Sequence, residues 1–148
     1  MNKYYSDSAI ALDSVRVGDK LATLEKHPNE VDVVRFCAAI RNFHRFHYDR
    51  AFTARQGIDG IIVPGFMTGN WCIEAVTRSF EPGVEVCRLK FRNTRMAPVA
   101  EGYVVVGEVT SVSQSDPQVI QCGLEVRRQA TEEVVTTGVV GVRRLLSR

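Results

Sequence analysis

Helical spacing of apolar residues in the first half of the chain gives way to strand patterns in the second, with strict apolar–polar alternation from Val84 to Arg92. Residues 1–17 are mixed in character and are expected to drape over the surface, with Val17-Gly18-Asp19 as a turn. The run from Lys20 to Lys26 alternates well enough for a strand. Pro28-Asn29-Glu30 then opens a helix, with Asn29 as N-cap and Glu30 and Asp32 in the first turn, where the helix dipole favours them. Val33, Val34, Cys37, Ala38 and Ile40 form its apolar stripe, which ends at Asn42. Asp49 is placed to cap a second helix, Arg50 to Gln56, with Gly57 as its stop. Ile58 to Val63 is a short apolar connection. A third helix follows from Gly65 to Phe80, with so few polar positions that it belongs at the centre of a domain, and Glu81-Pro82-Gly83 ends it. Four strand patterns complete the chain: Val84 to Arg92, Tyr103 to Val112, Val119 to Arg127 and Val134 to Val142. Turn signals separate them, including Ala97-Pro98, Glu101-Gly102, Ser115-Asp-Pro117 and Glu132-Glu133.

Helices followed by a run of strands imply an α+β domain, an antiparallel meander wrapped around the central apolar helix. That arrangement is the hotdog fold. An open sheet of this kind has edges and a concave face, so such domains are expected to dimerise. At 148 residues the chain reads as a single domain, 1–148. Hydrophobic residues make up 45% and charged ones 24%, which argues against disorder. The net charge of +2, with no long basic run, argues against nucleic acid as a partner. No stretch approaches the roughly 18 apolar residues of a membrane span or the pattern of a signal peptide, so a cytoplasmic location and no membrane contact are expected. Cys37, Cys72, Cys87 and Cys122 show no metal-binding spacing and read as buried, reduced thiols.

Candidate chemistry concentrates between Arg41 and Gly65. Asn42, His44 and His47 fall on a loop between two helical patterns, with Asp49 just behind, and Pro64-Gly65 opens the apolar helix. Polar groups on a loop that faces the free N–H groups of a helix N-terminus are suited to handling a developing oxyanion.

These residues resemble the MaoC-like (R)-specific enoyl-thioester hydratases and dehydratases. That family has a loop of the type G-D-x-N-P-(I/L)-H-x-D, a G-x-x-x-(I/V)-A-H-G turn and a later R-P-V-x-x-G-D turn. Here the corresponding runs are Arg41 to Asp49, Gly60 to Gly65 and Arg95 to Gly102, and the likeness covers roughly residues 15–145. Arg41 to Arg50 also looks like the R-(D/N)-F-x-x-x-H-x-D-R pattern of short, hetero-oligomeric members that act on bulky acyl-CoA, such as steroid side-chain hydratases. The family's catalytic His falls on His47 and its oxyanion glycine on Gly65; its catalytic Asp falls on Asn42, its hydratase Asn on His44, and the His before the glycine on Pro64.

The resemblance implies reversible hydration of an enoyl thioester of CoA or acyl-carrier protein, with no metal and no redox cofactor. His47 would act as acid and base, Asn42 would hold water through its amide oxygen, and the Gly65 N–H would stabilise the oxyanion. His44, Asp49, Pro64 and Phe66 would contact substrate. The expected assembly is a homodimer or a hetero-oligomer with another hotdog subunit. Because Asn42 cannot exchange a proton near neutral pH, a non-catalytic subunit serving an active hydratase is the alternative. A thioesterase is the third reading, for which Glu74 is the available acid on the central helix.

Overall fold

The computed structural model describes residues 9–114 and 118–145, which leaves the Ser115–Pro117 turn outside the described residues. In chain order it contains β1 (Leu24–Lys26), α1 (Glu30–Ile40), a 3₁₀ turn (Arg45–His47), α2 (Arg50–Arg55), α3 (Gly65–Ser79), β2 (Val84–Asn93), β3 (Tyr103–Val112), β4 (Val119–Arg128) and β5 (Val134–Arg144). Local chemistry sets the helix starts. The Asn29 side chain accepts the Asp32 N–H at 3.0 Å, while Asp32 accepts the Asn29 N–H at 3.1 Å, a reciprocal capping box. Asp49 caps α2 by accepting the Phe52 N–H at 2.8 Å. α3 differs: Pro64 precedes it and supplies no side-chain cap.

The five strands form one antiparallel sheet in the order β1-β3-β4-β5-β2. Only β3, β4 and β5 make the expected meander. β2 pairs with β5 instead of β3, from Val84↔Arg144 to Asn93↔Thr136. α3 packs across the sheet, most closely on β2 and β5. The buried side of the sheet (Val105, Val109, Ile120, Leu124, Val126, Val140 and Val142 among them) packs on Trp71, Cys72, Ala75 and Val76 of α3. Gly138 permits the approach, since a Cβ there would stand 3.0 Å from the Cys72 Sγ. The result is the hotdog fold.

Four sequence-based expectations are corrected. The strand over Lys20–Lys26 shortens to Leu24–Lys26 plus a single bridge, Lys20↔Glu108. The cause is the Ala22 N–H, which donates to the Ser79 Oγ of α3 at 2.9 Å rather than to a strand. Residues 9–17 do not merely drape over the surface. Ile10 bridges Phe80, donating its N–H to the Ser79 carbonyl at 2.7 Å, and Leu12 joins the core. α3 is not enclosed on all sides, because Phe66, Asn70 and Arg78 are exposed. Finally, Cys87 is exposed on β2, whereas Cys37, Cys72 and Cys122 are buried.

Phe80, fully buried at the end of α3, tests where the core sits. Phe80→Ala should cost about 3–5 kcal/mol in urea unfolding. Val31→Ala, at a side chain 57% exposed on α1, should change stability by no more than about 0.5 kcal/mol.

Candidate active site

The loop between α1 and α2 is built by successive backbone captures. Arg41 adopts a left-handed conformation (φ 55°) and ends α1, and the Asn42 N–H donates to the Cys37 carbonyl at 2.9 Å. The Asn42 side-chain oxygen accepts the His44 N–H at 3.3 Å, and the His44 Nδ1 accepts the Phe46 N–H at 3.3 Å, capping the 3₁₀ turn. His47 ends that turn, half-buried.

The segment Ile61–Val63 passes directly beneath. The Ile62 N–H donates to the Phe46 carbonyl at 3.0 Å, and the His47 Nδ1 lies 2.8 Å from the Ile62 carbonyl. On the other side, Val63 donates to the Ala97 carbonyl at 2.8 Å and Val99 donates to the Ile61 carbonyl at 2.9 Å. A carbonyl oxygen only accepts, so Nδ1 carries the hydrogen and neutral His47 keeps its lone pair on Nε2. Burial lowers the His47 pKa from its ordinary value; the bond to Ile62 opposes that shift and the neighbouring His44 adds to it. The imidazole is therefore neutral at pH 7 and available as a base.

His47 and Gly65 face one cleft of about 370 Å³. Ile62, Val63, Met96 and Ala97 supply apolar wall, while Thr68, Asn93, Thr94 and Thr136 supply polar wall. Met67 and Thr68 donate their N–H groups back to the Pro64 carbonyl, but the N–H groups of Gly65 and Phe66 have no partner among the described residues. This open helix end is positive, and a glycine leaves its amide approachable. A larger hollow of about 490 Å³ lies over the middle of β3, β4 and β5, lined by Lys20, Glu108, Glu125 and Arg127. Neither it nor a third hollow of about 550 Å³ beside the capped start of α1, lined by Asn29, Glu30, Arg50 and Asp59, contains an imidazole, so the cleft of His47 and Gly65 is the candidate site.

The remaining sequence-derived candidates lie elsewhere. Asn42 is not in the cleft wall, and its oxygen is engaged with the His44 N–H, not with a position facing Gly65. His44 is exposed, with its ring centroid 5.9 Å from that of His47. Asp49 is committed to structure. Arg45 donates to it from Nε at 3.0 Å and from an Nη at 2.6 Å, and together with the Phe52 N–H this holds its carboxyl below the usual range. Pro64 is buried and precedes the helix without lining the cleft. Phe66 is 64% exposed and packs edge-on against Phe91. Glu74 is paired with Lys26 and Arg78, away from the cleft. Thr68, Asn93 and Thr136 were not singled out from sequence. A threonine pair inside the apolar run of β5 was the available signal. Among the described residues, no group of three His, Cys, Asp or Glu side chains could hold a metal ion, and no helix is long and apolar enough to cross a membrane.

Sheet, central helix and cleft define a hotdog domain in which an imidazole and the open N-terminus of the central helix line one cleft. The chain belongs to the hydroxyacyl-thioester dehydratase type 2 family, which it matches over residues 4–100. Among solved structures, MaoC-like (R)-hydratases share its fold. The (R)-hydratase from A. caviae involved in PHA biosynthesis superposes with a TM-score of 0.81 at 22% identity, over 90% of this chain and 98% of its own. The R-hydratase PhaJ1 from Pseudomonas aeruginosa gives 0.80 at 21% identity, over 91% and 85%. The ChsH1-ChsH2 complex from Mycobacterium tuberculosis gives 0.78 at 22% identity, over 87% and 98%. At these identities the likeness shows the fold alone. No curated protein matches the chain by sequence. Family membership supports hydratase or dehydratase chemistry in general terms.

The histidine geometry has a pH consequence. With the folded His47 pKa below the unfolded value of about 6.5, the unfolded chain binds more protons just below that pH. This group's contribution to stability is thus complete above pH 6.5 and is lost as the pH falls from there through the folded pKa. Nitrogen-15 NMR of the imidazole should show a neutral Nδ1–H form titrating below pH 6.5. An Nε2–H form would contradict the Ile62 bond.

Proposed function

We propose that the chain hydrates trans-2-enoyl thioesters and, in reverse, dehydrates 3-hydroxyacyl thioesters, with CoA or acyl-carrier protein as the carrier. The single observation that carries this reading is the shared cleft of His47 and Gly65. The His47 Nε2 takes a proton from water as the water oxygen bonds to the β-carbon. Electrons shift to the thioester oxygen, which the Gly65 N–H stabilises, and protonation of the α-carbon by the imidazolium completes the addition. With one imidazole moving the proton from water to carbon, water and proton add to the same face of the double bond. The cleft's apolar wall suits an acyl chain.

A second reading is favoured by Asn42. The residue that matches the family's acid is an amide and its oxygen is turned to the loop, so the chain would serve as a subunit that shapes the acyl site of an active partner. Two features support assembly in either case. β2 is a sheet edge that exposes its own Leu89, and Phe66 of α3 stands exposed against Phe91 of the same strand. The partner is a second copy of this chain or another hotdog subunit.

Loss of the conjugated enoyl absorbance of crotonyl-CoA, and of longer or cyclic acyl-CoA, measures the activity. His47→Ala should lower the rate on the order of 10²–10⁴-fold. Full activity in that variant would remove His47 from the chemistry. Activity that appears only after co-purification with a second hotdog subunit would establish the supporting role instead. Asn42→Asp is expected to raise activity if the loop turns toward the cleft when substrate binds, and to leave it unchanged if the loop stays as it is.

A further inference from the structure

The polar wall of the cleft holds a group that the proposed reaction has not used. Asn93 ends β2, directly across the sheet from Thr136 of β5. Its Oδ1 accepts the Thr136 hydroxyl at 2.9 Å and stands 3.1 Å from the Thr68 hydroxyl. Those two hydroxyls are 2.9 Å apart on buried residues, and Thr68 also reaches the Gly65 carbonyl at 2.8 Å. With the amide oxygen turned into this cluster, the amide nitrogen must point the other way. It lies against Gly65, where a Cβ would come within 1.9 Å of it. Its two hydrogens have no acceptor among the described residues, and Asn93 lines the cleft beside the unpartnered Gly65 N–H.

We propose that the Asn93 side-chain amide is a second hydrogen-bond donor to the thioester carbonyl oxygen, beside the Gly65 N–H, with Thr68 and Thr136 as the residues that position it. The proposal rests on the thioester reading of the cleft. A developing oxyanion has room for more than one donor, and donors already fixed in place need no reorganisation as charge appears. Thr68 ties both donors together, since it touches the Asn93 oxygen and the carbonyl of Gly65 itself. The arrangement also gives Gly65 a second reason to be glycine: any side chain there would displace the amide.

Asn93→Asp is the discriminating variant, because a carboxylate still accepts from the Thr136 hydroxyl but has nothing to donate. Its affinity, and that of Asn93→Ala, should be measured by calorimetry for butyryl-CoA and for the S-butyl-CoA thioether, which lacks the carbonyl. Neither ligand has the double bond or hydroxyl that the reaction requires. The wild type should prefer the thioester by about tenfold, and both variants should lose most of that preference. Thr136→Val, which keeps the strand's shape, should lose part of it. A preference that survives in Asn93→Asp, or is absent from the wild type, overturns the proposal. Crotonyl-CoA turnover separates the two claims. An inactive wild type with an Asn93-dependent preference ends the hydratase reading and leaves this assignment standing. An active wild type whose preference ignores Asn93 does the reverse.

Discussion

The peptide of Ile62 is the joint on which the site depends. Its N–H is held by the Phe46 carbonyl and its C=O by the His47 ring, so the two peptide units flanking one residue fix both the backbone and the side chain of the loop. The same segment bonds on its other side to Ala97 and Val99, which anchors it to the chain between β2 and β3. Two residues later the chain enters α3. The imidazole and the helix N-terminus are thus held in relation by a few consecutive peptides rather than by a long path through the core. The bond also fixes the tautomer, since a carbonyl acceptor at Nδ1 leaves Nε2 bare.

Conformational demands at Gly65 follow from the same region. Pro64 presets an extended backbone before the helix (φ −60°, ψ 137°) and supplies no capping side chain, so the first amides stay open. In most helices a Ser, Thr, Asp or Asn would have capped them, as Asn29 and Asp49 do for α1 and α2. An uncapped, half-buried helix start costs stability, and that cost is consistent with a surface reserved for a ligand oxygen.

Much of this was readable along the chain. Asn29, Asp49 and Gly57 mark helix ends by local hydrogen bonding and backbone freedom, which depend on neighbours in sequence, and the structure has them there. The four long strands were legible from their apolar and β-branched runs; β3 and β4 bury alternate positions as such a pattern predicts, whereas the edge strand β2 buries none fully and β5 is buried at consecutive positions. Long-range facts were not. The pairing of β2 with β5 is a choice among edges that no local pattern encodes. The loss of strand at Ala22 depends on a hydroxyl 57 positions away. Cys87 reads as apolar from its neighbours, yet it sits on an edge strand with solvent beside it. The Thr68, Asn93 and Thr136 cluster gathers residues from three elements and so had no signature in any one of them. His47 and Gly65 were identified by likeness of motif, and their shared cleft became visible only once the Ile62 segment was in place.

One bound thioester is expected to meet His47 and Gly65 together. The direct measurement is a titration of nitrogen-15-labelled protein with a saturated acyl-CoA, following the His47 ring and the Gly65 amide. Both signals should shift and saturate with a single Kd. Shifts confined to β3–β5 around Gly107 and Gly123, or two signals that saturate at different ligand concentrations, would contradict it.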